Sequence, residues 1–371
     1  MADLGAGKSD KLRTGSAMSG GSCGAEVLPG ISFGVSLSNR TVALGWTEAR
    51  DLINLAVRAE DSGVVGSVWV GDSLIAKPRM EAIVTLAGIA AATRVVRIGT
   101  ACLATMPLRH PVLLAAQWAS LDCLSGGRSD LVACIGGAGP PGLVAREFAA
   151  MGVSQRERVP RMLEGMRILR ALWAGEEVDY EGTYHQFSGV TIGPRPIQQP
   201  CPIWIANGPK DPAIMERLYR RVARHADGWM TGALNPETFR ERWAFMRDLR
   251  MQETGQLDGF RSALHLRCHV DNNRERAYSG AKAFLDRYYS LDHDLRQLED
   301  ACVIGTPEDC VEKFVRYVAA GCNVIIIRLL GLPLSEQLER WVNEVIPEVT
   351  RRVRASHAAA SGQPAQRMEG V

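Results

Sequence analysis

VVRIGTACLATMPLRHP, residues 95–111, is the stretch from which the architecture can be read. Val95, Val96, Ile98, Thr100 and Ala101 are β-branched or small, without the polar alternation of a strand that has one wet face. This predicts a strand buried on both sides. The chain then turns through Pro107, Leu108, Arg109 and His110. Pro111 lacks an N–H and has a preset φ, so it suits the first turn of a helix. Leu114, Trp118 and Leu121 give that helix an apolar face, and Ser125-Gly126-Gly127 supplies a left-handed stop. A second apolar strand, Leu131 to Ile135, follows at once. Strand, loop, helix, glycine and strand in roughly thirty residues make a βαβ unit with parallel strands.

The same alternation extends in both directions. Strands are expected at Ile31 to Ser36, Val68 to Val70, Ile203 to Ile205, Asp227 to Met230, Leu264 to Val270 and Val324 to Ile327, with amphipathic helices between them. Thr306-Pro307-Glu308-Asp309 has an N-cap, an N1 proline and first-turn acids in the right order. Val178 to Phe187 breaks the rhythm and reads as a small inserted hairpin turning at Glu181-Gly182. Strand then helix, eight times over, predicts an α/β fold of the (β/α)₈ TIM barrel class rather than an open sheet, since no G-x-G-x-x-G follows the first strand. The barrel is expected over residues 30–350. Residues 1–29, rich in Gly, Ala, Ser and charge, read as a disordered leader without a signal-peptide core, and residues 351–371 as a C-terminal tail.

Composition narrows the function. A chain of 371 residues that is 46% apolar can bury a large core. A net charge of +2, without long basic clusters or an apolar run of about twenty residues, argues against a nucleic-acid or membrane surface. The nine cysteines are scattered, odd in number and free of CxxC pairs, as reduced core thiols of a cytoplasmic protein would be.

In a barrel the reacting groups sit at the C-terminal ends of the strands. Asp72, where an apolar strand ends, either accepts bonds from the neighbouring loop or faces a ligand. Ser73 lacks the G-x-S-x-G elbow of a nucleophile. Arg109 could hold an anion or make an outward salt bridge, and His110 reads as a local structural residue before a helix. Gly136-Gly137 and Asn207-Gly208-Pro209 each follow a buried strand. Their small residues allow backbone N–H groups to approach a phosphate, although plain tight turns use the same residues.

Five motifs carry a resemblance: SVWVGDS (67–73), VRIGTACLATMPLRHP (96–111) with LSGGR (124–128), PRPIQQPCPIWIANGPK (194–210), RRVARHADGWM (220–230) and GTPEDCVEKFVRYVAAGCN (305–323). In this order they resemble the luciferase-like monooxygenase superfamily, (β/α)₈ oxidoreductases that use FMN or the deazaflavin F420. The IANGPK loop is more similar to the F420-using dehydrogenases and reductases than to the bacterial luciferases. The resemblance implies that Asp72 lies near the cofactor rings, with Ser73 beside it as the second catalytic position. Ala101-Cys102 would form a non-prolyl cis peptide behind the ring system, close to Ala104. Gly136, Gly137, Asn207, Gly208, Lys210 and Asp211 would hold the ribityl phosphate. The F420-dependent sugar-phosphate enzymes place a histidine where this chain has Ser73 and a glutamate where it has Ala138, so that particular reaction is not carried over.

The resulting expectation is a cytoplasmic oxidoreductase acting on a small organic substrate by F420 hydride transfer or FMN-dependent monooxygenation. With FMN a flavin reductase would be its partner, and the resemblance implies a homodimer. The alternatives are a flavin-binding barrel without turnover and a phosphate-using barrel aldolase or isomerase. The latter calls for a strand-end catalytic Lys or Glu, and no lysine lies on a strand end.

Overall fold

The computed structural model describes residues 26–137, 139–208 and 212–361. The strands are β1 (Glu26–Leu28), β2 (Ile31–Leu37), β3 (Ser67–Val70), β4 (Arg97–Thr100), β5 (Ser129–Ala133), β6 (Val178–Glu181), β7 (Gln186–Val190), β8 (Ile203–Ala206), β9 (Gly228–Gly232), β10 (Arg261–Val270), β11 (Cys302–Gly305) and β12 (Val324–Leu329). Eight of them form a closed parallel ring in the order β2-β3-β4-β5-β8-β9-β10-β12, with β12 pairing back onto β2. This is the expected (β/α)₈ barrel. Each strand is buried on both faces, by side chains inside the ring and by the helical shell outside it.

Local sequence accounts for the helix ends. The helix Pro111–Ser125 opens on its proline and stops at Gly126, whose φ of 70° is the left-handed conformation that glycine adopts without a Cβ clash. The helix Pro307–Ala319 carries a complete capping box between Thr306 and Asp309. Inside the ring, Trp69, Val132, Trp204, Met230, Ala263, Val324 and Ile326 pack into one layer. Glycines make room for its two large rings. A Cβ on Gly34 would lie 2.7 Å from Trp69 Nε1, and one on Gly228 would lie 2.5 Å from Trp204 Cε2. This filled layer is the floor of the space above it.

Departures from expectation have physical causes. The leader expected over 1–29 gives way at Glu26–Leu28 to β1, an antiparallel partner of β2 that turns back through Gly30 at φ 81°. Residues 1–25 lie outside the described residues. The tail expected from 351 is helical to Ser361, because the helix Ile346–Ser361 buries Val349 and Val353 against the barrel. Between β10 and β12 lie the helices Arg274–Tyr289 and Leu295–Ala301 and then β11, which extends the sheet along the upper half of β10 from outside the ring. The inserted hairpin is β6 with β7, turning a little later than Glu181-Gly182, through Gly182 to His185. All eight described cysteines are free, and Cys201, Cys268, Cys302, Cys310 and Cys322 are buried, so the core-thiol reading holds for these five. Among the described residues no helix is long and apolar enough to cross a membrane.

Candidate active site

The C-terminal ends of the strands surround a cavity of about 480 Å³. Ala101, Cys102 and Ala206 pack on the filled layer of the barrel and form its base. The Ala101–Cys102 peptide is cis, as the resemblance implies. Cys134 lies beside Cys102. The hydrogen bond between the two thiols outweighs burial to hold Cys134 below its ordinary value, and joins burial in raising Cys102.

Asp72, just beyond β3, has its side chain almost wholly buried. Its Oδ2 accepts from Thr105 N at 2.7 Å and Thr105 Oγ1 at 2.6 Å, while Oδ1 lies 3.4 Å from Arg109 Nη2. Of the two roles open to it, the bond to the neighbouring loop is therefore made, although the residue also lines the cavity. Burial pushes this carboxyl above its ordinary pKa, and Arg109 and Thr105 hold it back. Arg109 spans Asp72 and Glu81, the latter at 2.7 Å, and so serves the wall rather than a ligand. His110 precedes the helix Pro111–Ser125 and packs its ring 5.3 Å from that of His185.

Ser73 is similarly engaged. Its Oγ donates to Glu147 Oε1 at 3.0 Å and accepts from Lys77 N at 2.9 Å. Glu147, on the helix Pro141–Ala150, also accepts from the backbone of Leu74 (2.6 Å), Ile75 (2.9 Å) and Ala76 (3.4 Å). One buried carboxylate oxygen thus gathers the whole loop that follows β3. Sequence reading missed Glu147, because a glutamate on a helix 74 residues from Ser73 has no local signature.

The two glycine-bearing loops are neighbours, since β5 pairs with β8. Gly136 and Gly137 have φ of 65° and 91°, and a Cβ on Gly136 would lie 2.6 Å from Ala104 O. Both positions therefore require glycine. Asn207 takes a hydrogen bond from Trp229 Nε1 at 2.6 Å on its Oδ1, which orients the amide, and its buried Nδ2 has no partner among the described residues. A Cβ on Gly208 would meet nothing within 4 Å among the described residues. An oriented, unpartnered amide N–H beside bare glycine backbone is a fit for a phosphate-bearing group. Of the eleven expected site residues, nine (Asp72, Ser73, Ala101, Cys102, Ala104, Gly136, Gly137, Asn207 and Gly208) line this one cavity. Lys210 and Asp211 lie outside the described residues, as does Ala138.

The opposite wall was not anticipated as a unit. Arg328 at the end of β12 donates from Nη1 to Tyr289 Oη at 2.6 Å and lies over the Tyr288 ring at 4.6 Å. Lys77 and Arg267 approach the Tyr289 ring at 5.8 and 5.5 Å. Burial opposes ionisation of the Tyr289 phenol, but Arg328, Arg267 and Lys77 outweigh it and bring the group down to about 7. His265, one turn of the strand pleat below Arg267, is lowered to about 3 by burial and by Arg328, Arg267 and Arg79. A signal existed in β10, where His265 and Arg267 alternate with Leu264, Leu266 and Cys268. Period-two polar residues near the C-terminal end of a barrel strand point inward.

The luciferase-like monooxygenase family model matches residues 31–323. The F420-dependent glucose-6-phosphate dehydrogenase of Amycolatopsis mediterranei is 26% identical over 330 residues, 81% of this chain and 94% of that protein. Among solved structures, the monooxygenase RslO1 from Streptomyces bottropensis is 26% identical with a TM-score of 0.69, covering 85% of this chain and 99% of its own. An F420-dependent secondary alcohol dehydrogenase in complex with an F420–acetone adduct shares the fold at a TM-score of 0.70 and 18% identity, covering 86% and 99%. With its barrel, its strand-end cavity and a match that runs from β2 to the start of β12, the chain belongs to the luciferase-like monooxygenase family.

Proposed function

We propose that the protein is an oxidoreductase that holds a flavin-type cofactor, F420 or FMN, in the strand-end cavity and acts on a small organic substrate. The observation that carries this is the convergence of nine expected site residues, eight of them expected to bind cofactor, from loops after four different strands, on one cavity. Ala101 and Cys102 would back the ring system. Gly136, Gly137, Asn207 and Gly208 would hold the phosphate through backbone N–H groups and the free Asn207 amide, with Lys210 and Asp211 expected beside them. The bound cofactor supplies the acceptor or donor of a hydride, or with FMN the activation of oxygen. The chain's own residues position it and close one face to water.

Asp72 and Ser73 act in this reading by position. Asp72 ties the end of β3 to the loop that carries Thr105, and Ser73 ties the next loop to Glu147. Ser73 and Ala138 stand where the sugar-phosphate enzymes have their acid and base, so the substrate named for the Amycolatopsis relative is not assigned to this chain. Two observations favour different cofactors: the curated relatives use F420, while RslO1, equally identical, is a monooxygenase. If FMN is used, a flavin reductase supplies it reduced. A homodimer in the cytoplasm completes the proposal.

The test is a spectroscopic titration of the purified chain with FMN and with F420. Saturable binding of one or both supports the assignment. Failure of both to bind would overturn it.

A further inference from the structure

The wall opposite the glycine loops has more positive charge than the protein neutralises. Lys77 and Arg79 come from the loop after β3, Arg267 from β10 and Arg328 from β12, and all four line the cavity. Among the described residues none of them has a carboxylate within ion-pair distance. The two acids that line the same cavity are committed elsewhere, Asp72 to Thr105 and Arg109 and Glu147 to the loop amides. Arg328 is only 8% exposed, and its Nη2 has no hydrogen-bond partner among the described residues. Leaving a buried, charged guanidinium N–H unpaired is costly unless something else binds there.

Among the described residues the group hydrogen-bonded to this cluster that can carry a negative charge is Tyr289, at the end of the helix Arg274–Tyr289. Its ring faces Arg328 from β12, Arg267 from β10 and Lys77 from the β3 loop. Tyr288 packs edge-on at 4.9 Å. His293, 5.9 Å away, is held by Asp286 at 2.8 Å. His265 is neutral at ordinary pH and adds no charge.

From this geometry we infer that Lys77, Arg79, Arg267 and Arg328 form a subsite for an oxyanionic group of the substrate, a carboxylate or phosphate. Tyr289 serves as its stand-in anion when that group is absent. On binding, the substrate's anion takes over the cations and the phenolate takes up one proton from solvent to become a neutral phenol, which can still accept from Arg328. No other bond is made or broken. The inference rests on the oxidoreductase reading for the word substrate, and it adds that the substrate is acidic.

Sulfate is the probe, because its charge is constant through the neutral range. The full-length parent should bind it with an affinity that falls about tenfold per pH unit once the phenol has ionised, since each binding event then needs a proton. Tyr289→Phe should bind sulfate with no such slope, and should lack the ultraviolet band of a tyrosinate titrating near neutrality. Lys77→Met, in the loop after β3, should weaken sulfate about tenfold, and Arg328→Met at least as much. Sulfate binding that is absent, or unchanged in Lys77→Met, overturns the subsite. The cofactor's own phosphate is the rival source of the anion: if Lys77→Met weakened FMN but not riboflavin, the wall would serve the cofactor and the substrate assignment would fail. A parent that bound sulfate with the stated slope but neither FMN nor F420 would leave the anion subsite standing and remove the oxidoreductase reading alone.

Discussion

Glu147 offers the sharpest perturbation, because one oxygen atom holds together a loop on which Ser73, Lys77 and Arg79 all ride. Replacing it by alanine removes an ionised acceptor from four donors, of which the Leu74 and Ile75 amides at 2.6 and 2.9 Å are the close ones. Hydrogen bonds to a charged group contribute about 1.5–3 kcal/mol each, but Leu74 and Ile75 are half-buried and recover part of this from water. The buried Ala76 amide and Ser73 hydroxyl recover less. Counting the two close bonds at the low end and the long ones as small gives a loss of about 3 kcal/mol. Glu147→Gln keeps an acceptor oxygen in place but not its charge, and a neutral bond is about half as strong, so the loss should be about 1.5 kcal/mol. Urea denaturation of parent and both variants measures these values, and amide exchange at residues 74–76 reports whether the loop itself loosens. Glu147→Ala within about 0.5 kcal/mol of the parent, the range of an ordinary surface change, would refute the reasoning. So would unaltered protection at the three amides.

Other perturbations reach the site by different routes. Gly208→Asp meets no steric obstacle among the described residues, so its effect is electrostatic: it should weaken FMN or F420 by at least about 1.4 kcal/mol, a factor of ten, while riboflavin binds the parent less well than FMN does. Gly137→Val forces a β-branched residue to φ 91° with its Cβ 2.5 Å from Arg158 Nη1, and should weaken cofactor binding and stability together, as parallel titration and melting would show. His265 is held neutral in the fold at a pKa of about 3 against an ordinary 6.5. Its contribution is therefore present above pH 6.5 and lost as pH falls towards 3, at up to about 1.4 kcal/mol per unit. His265→Asn should flatten that part of the acid-stability profile, and an unchanged slope would remove His265 as its source. Asp72→Ala should cost roughly 1–3 kcal/mol, because it strands the Thr105 amide and frees Arg109, and should lower turnover by more than that loss of fold accounts for. Turnover equal to the parent in folded protein would take Asp72 out of the site.

The sequence alone was enough for everything that depends on a few consecutive residues. Apolar strands without polar alternation, proline-opened and glycine-stopped helices and the Thr306 capping box are written in local chemistry, so the eight barrel strands and their order could be read from residue 31 onward. Gly136-Gly137 and Asn207-Gly208 were legible for the same reason, since small residues just past a buried strand restrict what the backbone there can do. What the tertiary structure decided are relations between residues far apart in the chain. Glu147 meets Ser73 across 74 residues, and Arg328 meets Tyr289 across 39. That β1 and the last helix carry ordered structure outside residues 30–350 depends on what they pair with and pack against, not on their own composition. Nor does Asp72 carry in its neighbours any sign that Thr105 and Arg109 will claim its carboxylate. A short segment determines its own backbone, but the charge, burial and hydrogen bonds of a side chain are set by whatever the barrel's closure brings against it.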